Sequence, residues 1–391
     1  MSQVSGRVYK NGGYLDVDTH VYMKKNEKVY SIEWFSAKLL KWNREKNSRK
    51  MPWKGEKNPY KIWLSEIILQ QTRVDQGLNY YNRFIETFPD IHKLARADDT
   101  KIFKLWEGLG YYSRCRNLIT TARHISREKK GVFPDNYEEI KALKGIGPYT
   151  AAAISSFAFN LPHAVVDGNV FRVLARVFGI DKPIDSTEGK KYFNQLANKL
   201  LHKKQPGIYN QAIMDFGAVI CKPLAPLCTE CVFNKKCYAF LNDKINELPV
   251  KEKKLKIRKR WFYYLVIECD DKIMIRQRLD KDIWQDLYEF PLIETDKEEE
   301  INKILSIAEK KKWLGKNSYQ ITSLSPVLKQ QLSHQLITGR FIAIKIINGF
   351  PGTETGQWIT RNKLKTYAFP KFINQFLDKK RNKTASRQLE V

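Results

Sequence analysis

The sequence predicts a multidomain protein in which an all-α domain is followed by an α+β domain. Three observations lead to this prediction: a length of 391 residues, a helical periodicity confined to the first two thirds of the chain, and short β-branched and aromatic runs confined to the last third. A strongly basic segment separates the two patterns.

Before residue 250, apolar residues recur three and four positions apart, as they do along a helix that packs one face against its neighbours. The stretches are WFSAKLLKWN, YKIWLSEIILQQT, DTKIFKLWEGLG and GYYSRCRNLITTARHISREKK. We therefore predict an all-α domain over residues 31–247. Residues 1–30 lack this periodicity, and we expect a poorly ordered extension there.

The segment KEKKLKIRKR, residues 251–260, contains seven basic residues and one acidic residue. It predicts a basic linker over 248–260, either a solvated tether or a segment that follows a phosphate backbone. After it, WFYYLVIE, KIMIRQR, FIAIKII and GQWITRNKL read as strands, with one helical stretch around EEEINKILSIAEKKKW. These runs predict an α+β domain over 261–378, followed by a loose basic tail over 379–391.

The charge balance points to a polyanionic partner. Lys and Arg total 69 against 42 Asp and Glu, a formal net charge of +27, so nucleic acid is the first candidate. No apolar run approaches the length of a membrane span, and the first residues lack the apolar stretch of a secretory signal. We therefore expect no membrane association and a cytoplasmic location, where disulfides are disfavoured.

Four cysteines, Cys221, Cys228, Cys231 and Cys237, are separated by six, two and five residues. A tight loop of four thiolates suits a cubane 4Fe-4S cluster, which takes one cysteine per iron. Zinc sites more often pair two C-x-x-C knuckles across a longer gap. We predict a 4Fe-4S loop over 221–237 with these four ligands, and a zinc loop stays the alternative.

In KALKGIGPYTAAAISSFAF, Gly145, Gly147 and a proline interrupt two helical runs in a helix-hairpin-helix pattern. Glycines there let backbone amides at the start of the second helix approach a phosphate, and Lys144 adds positive charge. Such a pattern alone is more often a structural turn. Together with the cysteine loop it predicts DNA binding.

Two carboxylates are candidates for chemistry. Glu66 lies within WLSEIIL, where apolar neighbours would desolvate it and raise its pKa toward neutrality. Asp167 precedes a glycine and a helical run, so it is first a helix N-cap, and a helix N-terminus favours its ionised form. One acid and one anion are what cleavage of a glycosidic bond through an oxocarbenium-like state requires.

Together these features resemble the MutY family of adenine DNA glycosylases, within the helix-hairpin-helix superfamily that includes endonuclease III. The resemblance covers residues 31–378 through MPWKGEKNPYKIWLSEIILQQTRV, LWEGLGYYSRCRNL, LKGIGPYTAAAI, VVDGNVFRVLAR, the cysteine loop and a C-terminal Nudix-like domain. It implies a monomeric base excision repair enzyme that flips adenine out of duplex DNA where 8-oxoguanine or guanine is opposite.

The resemblance also implies roles for single residues. Glu66 would protonate the adenine, and Asp167 would stabilise the cationic sugar, by its charge or as a transient covalent partner. Tyr149 and Asn169 match positions that orient the carboxylates and the sugar. Further positions match the base pocket (Met51, Trp53), the insertion into the duplex near the partner base (Gln71, Tyr111) and recognition of the lesion by the second domain (Ser333, His334).

Two positions depart from the family pattern. Lys54 stands where many members have Arg, which weakens any bidentate contact there. Leu332 precedes Ser333 where the family has Phe, so stacking by that side chain is in doubt. The Nudix carboxylate signature is also missing, which predicts a second domain that recognises DNA and does not hydrolyse nucleotides.

Two other functions compete with this one. An endonuclease III-type glycosylase and lyase would place a nucleophilic Lys in the hairpin, whereas Tyr149 stands there, and a phenol cannot form a Schiff base. A non-catalytic iron–sulfur DNA-binding protein would have no use for two carboxylates, Glu66 and Asp167, beside a polyanion.

Overall fold

The computed structural model describes residues 20–21, 30–252, 257–315, 318–348 and 356–378. Most of the predicted N-terminal extension, residues 253–256 of the predicted linker and the whole predicted tail over 379–391 lie outside these ranges. Two short strands, β1 (His20–Val21) and β2 (Tyr30–Ser31), pair antiparallel before the first helix.

Between β2 and residue 241 the regular secondary structure of the described chain is helical, which confirms the all-α prediction. All four stretches with helical periodicity contain one. In chain order the helices are α1 (Ile32–Glu45), α2 (Pro59–Leu69), α3 (Val74–Thr87), α4 (Ile91–Arg96), α5 (Asp99–Trp106), α6 (Tyr112–Glu128), α7 (Tyr137–Ala142), α8 (Pro148–Phe159), α9 (Gly168–Phe178), α10 (Thr187–Leu200), α11 (Pro206–Val219) and α12 (Tyr238–Leu241).

Helix α2 is shorter than the stretch YKIWLSEIILQQT that predicted it. It starts at Pro59 because the Asn58 side chain accepts a hydrogen bond from the Tyr60 amide at 3.0 Å, which caps the helix. It ends at Leu69, and Gln71 has a φ of +56°. A residue in the left-handed region cannot continue an α-helix, so Gln71 lies in the turn that follows.

Helices α1, α9, α10 and α11 share a core with the cysteine loop. Phe233 of that loop is fully buried and stacks on Phe35 with ring centroids 4.7 Å apart. Phe216 of α11 packs edge-on against the Phe233 ring, with ring centroids 5.2 Å apart. The apolar core therefore holds the loop in place, since a buried aromatic ring of this size is costly to expose.

The second pattern forms a mixed sheet accompanied by helix at 301–310 and at 371–378, which confirms the α+β prediction. The elements are β3 (Arg258–Cys269), β4 (Lys272–Gln277), β5 (Tyr288–Glu289), β6 (Leu292–Thr295), α13 (Ile301–Lys310), β7 (Tyr319–Leu324), β8 (Leu328–Gln331), β9 (Gln335–Ile346) and β10 (Gln357–Thr360). Strands β10, β4, β3, β9 and β7 lie in that order, with β6 added beside β3, β8 beside β9 and β5 beside β4. Strands β3 and β9 are parallel, and the other pairs are antiparallel.

The chain forms two compact units, and their composition differs from the linear division predicted above. One unit comprises the described parts of 1–71 and 124–253, and the other comprises those of 72–123 and 254–391. In the second unit Glu107 accepts hydrogen bonds from the Phe369 amide at 2.8 Å and from Asn374 at 3.0 Å, and Lys104 donates to the Tyr367 carbonyl at 2.9 Å. The end of α5 therefore packs against residues 367–374, which follow the last strand, and α3–α5 belong to this unit despite their position in the sequence.

The predicted linker also ends earlier than residue 260, because β3 begins at Arg258. Arg260 is buried, and its guanidinium donates to Glu294 at 2.6 Å and to Asp282 at 2.6 Å. Two carboxylates therefore draw this end of the basic segment into the sheet.

No helix in the described ranges combines the length and the apolar character that crossing a membrane requires.

Candidate functional site

Glu66 lies on the buried face of α2, between apolar neighbours as the sequence predicts. Only 7% of the residue is exposed. The pKa of Glu66 is raised to about 7, mainly by burial: a hydrogen bond from the Tyr149 phenol lowers it, and the nearby charge of Asp167 adds to the rise. At neutral pH this side chain can therefore both hold and release a proton.

Asp167 is the N-cap of α9, as the sequence predicts. Its Oδ1 accepts a hydrogen bond from the Val170 amide at 2.8 Å, and its Oδ2 accepts one from Asn169 Nδ2 at 2.7 Å. Burial raises the pKa of Asp167, although these donors lower it. The donors at the helix N-terminus and on Asn169 therefore only partly offset the desolvation of this carboxylate.

Tyr149 lies near both carboxylates and is positioned by the helical hairpin. Gly145 turns the chain after α7 with a φ of +78°, and Gly147 is the N-cap of α8, so Tyr149 falls in the first turn of that helix. Its phenol hydrogen-bonds Glu66, and its pKa is raised well above the usual value, first by burial and then by both carboxylates. The phenol therefore stays protonated and acts as a donor.

Arg172, which sequence reasoning missed, connects this site to the cysteine loop. Its Nη2 donates to Asn169 Oδ1 at 2.8 Å and to the Gly217 carbonyl at 2.7 Å, while its Nε donates to the Cys221 carbonyl at 2.7 Å. Because the guanidinium only donates, it fixes the Asn169 amide with Nδ2 toward Asp167. The sequence feature that could have identified Arg172 is its position one helical turn after Asn169.

A cavity of about 320 Å³ opens beside Glu66. Trp53, predicted for the base pocket, lines it. Met51 is outside the lining, and its carbonyl accepts a turn hydrogen bond from the Lys54 amide at 3.0 Å, so its place in the base pocket stays a prediction. Polar residues that the base-pocket prediction did not include also contribute to the walls, namely Lys54, Glu56, Lys57, Ser65 and Gln211.

The predicted DNA-contacting residues on the hairpin are exposed, as an interface requires. Lys144, Gly145 and Gly147 lie at the turn between α7 and α8, and Gln71 is exposed in the turn after α2. Preceding Gln71, Gln70 donates to Thr150 of α8 at 3.0 Å, which ties that turn to the hairpin helix.

In the second unit the structure brings together residues that sequence reasoning assigned separately. Tyr111 has a φ of +49°, is exposed just before α6, and its hydroxyl lies 2.7 Å from Ser333 Oγ. A cavity of about 500 Å³ is lined by Tyr111, Leu332, Ser333 and His334. The Arg114 guanidinium lies over the Tyr111 ring, 4.9 Å from its centre, and stabilises it by a cation–π interaction.

The four predicted cysteine ligands line one cavity and form no disulfide. Arg176 Nη1 lies 3.7 Å from Cys221 Sγ and donates to the Lys222 carbonyl at 2.7 Å. In the described residues no three His, Cys, Asp or Glu side chains converge closely enough to hold a single metal ion. Four thiols whose thiolate forms would carry negative charge, beside a guanidinium that offsets such charge, suit a larger thiolate-bound centre.

Comparisons with known proteins agree with both parts of the chain. Residues 64–208 match the HhH-GPD superfamily of base excision DNA repair proteins, and residues 262–379 match the NUDIX domain. The chain is 34% identical over 354 residues to the adenine DNA glycosylase of Buchnera aphidicola subsp. Baizongia pistaciae, covering 88% of this chain and 96% of that protein. It is 39% identical over 220 residues to the adenine DNA glycosylase of Homo sapiens, covering 54% of this chain and 40% of that protein.

Among solved structures, a thermostable thymine-DNA glycosylase matches with a TM-score of 0.50 and 28% identity. The match covers 54% of this chain and 96% of that one. It therefore concerns the helical part.

Proposed function

This chain belongs to the adenine DNA glycosylases of base excision repair, and from that premise we propose that it removes adenine mispaired with 8-oxoguanine or guanine in duplex DNA. The observation that carries the proposed chemistry is the buried Glu66, with a pKa of about 7, hydrogen-bonded to Tyr149 and close to Asp167. A net charge of +27 favours binding of the duplex.

In the proposed mechanism the flipped adenine occupies the cavity beside Glu66. Glu66 donates its proton to N7 of the base, the bond between the sugar C1′ and N9 breaks, and its electron pair stays on N9. Asp167 stabilises the cationic sugar, and Asn169 and Arg172 hold that carboxylate in place. The Glu66 carboxylate then accepts a proton from the water that attacks C1′.

We further propose that the enzyme has no lyase activity of its own. Tyr149 stands where a lyase of the endonuclease III type places its nucleophilic Lys. The two lysines that line the cavity within the described residues are engaged elsewhere: Lys54 Nζ lies 3.1 Å from Asp215 Oδ2, and Lys57 donates to the Phe157 carbonyl at 2.9 Å. The side chains that line this cavity therefore support hydrolysis without a Schiff base.

The cavity beside Tyr111 and Ser333 supports recognition of the base opposite the adenine. 8-Oxoguanine has an N7–H donor and an O8 acceptor where guanine has only the N7 acceptor. The two hydroxyls, 2.7 Å apart, can each donate or accept, so one pair can satisfy both new groups. Both residues belong to the same compact unit, which supports a shared role.

A single-turnover assay tests this specificity on duplexes with adenine opposite 8-oxoguanine, guanine or cytosine. We expect the intact protein to favour the oxidised partner and the Ser333→Ala, His334→Ala double variant to lose about tenfold of that preference, since such contacts discriminate by roughly 1–3 kcal/mol. Ser323→Ala is the control, because Ser323 is exposed on β7 and outside the cavity lining. An unchanged preference in the double variant would exclude this role.

Adding borohydride to the same assay tests the absence of lyase activity, since efficient trapping of enzyme on DNA would contradict it.

Point variants are preferable here to removing the chain after residue 250. Lys104 of α5 and the adjacent Glu107 bind the backbone of Tyr367 and Phe369, which lie after residue 250. Truncation would expose those contacts and disturb Tyr111 as well, so lost specificity could not be assigned to Ser333.

We propose that the cysteine loop binds a 4Fe-4S cluster through Cys221, Cys228, Cys231 and Cys237. When bound, such a cluster crosslinks the loop through one thiolate per iron. Arg176 donates to the Lys222 carbonyl and so holds the loop backbone. Arg172 donates both to the Cys221 carbonyl and to Asn169, so it connects the loop to Asn169.

The purified protein is expected to contain about four irons per chain and to be yellow-brown. Changing any of the four proposed ligands to Ser should cost iron or folding. Cys269→Ser is the matched control, since Cys269 is buried in the sheet. Stoichiometric zinc without iron, measured by metal analysis, would refute the assignment.

A further inference from the structure

Arg260 of β3 is a buried cation that the proposed mechanism does not use, and only 4% of the residue is exposed. Its guanidinium binds two carboxylates through two hydrogen bonds each: Glu294 accepts both at 2.6 Å, and Asp282 accepts them at 2.6 and 3.0 Å. Its Nη1 also donates to Gln335 Oε1 at 3.0 Å. Two bidentate pairs fix the plane of a guanidinium, so the direction of this last donor is fixed as well.

Gln335 is the first residue of β9 and directly follows the turn that carries Ser333 and His334. Because a guanidinium only donates, Arg260 fixes the Gln335 amide with its oxygen toward β3. The backbone of the turn is also held, since the His334 carbonyl accepts a hydrogen bond from the Arg258 amide of β3 at 2.9 Å. Ser333 and His334 are themselves exposed, so burial of their side chains does not fix the turn, whereas these hydrogen bonds do.

The loop between β4 and β5 links Arg260 to the part of the cavity wall formed by α6. Its Asp282, held by Arg260, lines the cavity of about 500 Å³. From α6, Arg116 donates to the carbonyl of Gln285 in the same loop at 2.9 Å, and α6 begins directly after Tyr111. The polar contacts therefore run from the turn between β8 and β9 through Arg260 and this loop to the helix that follows Tyr111.

The distance between the hydroxyls of Tyr111 and Ser333, 2.7 Å, sets how accurately the turn must be placed. Hydrogen bonds between hydroxyls favour about 2.5–3.0 Å, so a shift of the turn by roughly 1 Å would break this pair. The same shift would move Ser333 away from a base bound in the cavity. Recognition by an exposed side chain therefore requires neighbours that hold its backbone.

We propose that Arg260 is a positioning residue for recognition of the base opposite the adenine: through Gln335 it holds the turn so that the Ser333 hydroxyl faces Tyr111 and that base. The inference rests on the proposed function, because the cavity must receive the base opposite the adenine. Arg260 itself does not contact DNA, since it is buried and all five of its N–H donors are engaged within the protein.

The test measures single-turnover release of adenine opposite 8-oxoguanine and opposite guanine, with full-length protein throughout. Gln335→Met removes an acceptor of Arg260 and leaves its two carboxylate pairs in place, and it should lower the preference for 8-oxoguanine by roughly fivefold, as expected for one hydrogen bond. Gln335→Glu keeps an acceptor for Arg260 and should retain the preference, which a direct contact of the amide N–H groups with DNA would not allow. Gln320→Met, exposed on β7 and outside the cavity lining, is the control.

Arg260→Lys tests the guanidinium itself, since an ammonium keeps the charge but cannot serve three acceptors in one plane. It should lower the preference at least as much as Gln335→Met. In the Ser333→Ala, His334→Ala background, Gln335→Met should cause no further loss, because the side chains that it positions are gone. An unchanged preference in either single variant, a further loss in that background, or equal slowing of both duplexes by Gln335→Met would overturn the proposal. Absence of any preference in the intact protein would instead refute the proposed function.

Discussion

Glu66→Gln is expected to lower the single-turnover rate of adenine release by roughly 10²–10⁴-fold, the contribution of a positioned general acid. Gln keeps the shape of Glu but has no transferable proton. Duplex binding should persist, because the cavity and the exposed hairpin residues are unchanged. Glu56→Gln is the matched control: Glu56 lines the same cavity, but hydrogen bonds from the backbone of Asn58 and Lys57 lower its pKa, so it is no acid at neutral pH.

The pH dependence gives an independent check on the same residue. Since the pKa of Glu66 is about 7 and its protonated form is the acid, the rate should fall as pH rises through about 7. Tyr149→Phe removes a hydrogen bond that lowers this pKa, so the decline should move to higher pH. A near wild-type rate for Glu66→Gln, or a decline unmoved by Tyr149→Phe, would contradict the assigned role.

Local chemistry explains which parts of this site could be predicted from the sequence. The apolar neighbours of Glu66 on one helix predict its burial, and the Asp-Gly start of α9 predicts that Asp167 is an N-cap. The spacing of the cysteines places them in one loop. In each case the residues that decide the outcome lie close together in the sequence.

Contacts between distant residues explain what could not be predicted. Tyr111 and Ser333 are 222 positions apart in the sequence, and the hydrogen-bonded residues Asp215 and Arg49 are 166 positions apart. No periodicity reports such pairs, because packing of whole helices and strands sets them. The same reason applies to Glu107, whose contacts with Phe369 and Asn374 join the end of α5 to the segment that follows the last strand.

Asp167→Asn is expected to slow adenine release by at least roughly 10²–10³-fold, the usual effect of removing one electrostatic contact to charge that develops in the transition state. Asn caps a helix as well as Asp does, so the bond from the Val170 amide should persist.

The variant should also be no less stable than the parent. The raised pKa of Asp167 means that folding disfavours its ionised form, a cost that grows as pH rises from the unfolded toward the folded pKa and is fully present above it. Asn removes this cost, so the melting temperature at neutral pH should hold or rise. Duplex binding should strengthen, because a negative charge near the phosphates is lost.

Asp90→Asn provides the matched control for Asp167→Asn, since Asp90 caps α4 through the Lys93 amide at 2.8 Å and has no place in the proposed chemistry. It should leave release, binding and melting unchanged. Single-turnover kinetics, DNA binding and thermal unfolding of both variants separate the two roles of Asp167. A large fall in melting temperature would mean that the aspartate is mainly a structural cap, whereas an unchanged rate would mean that its charge does not act on the sugar.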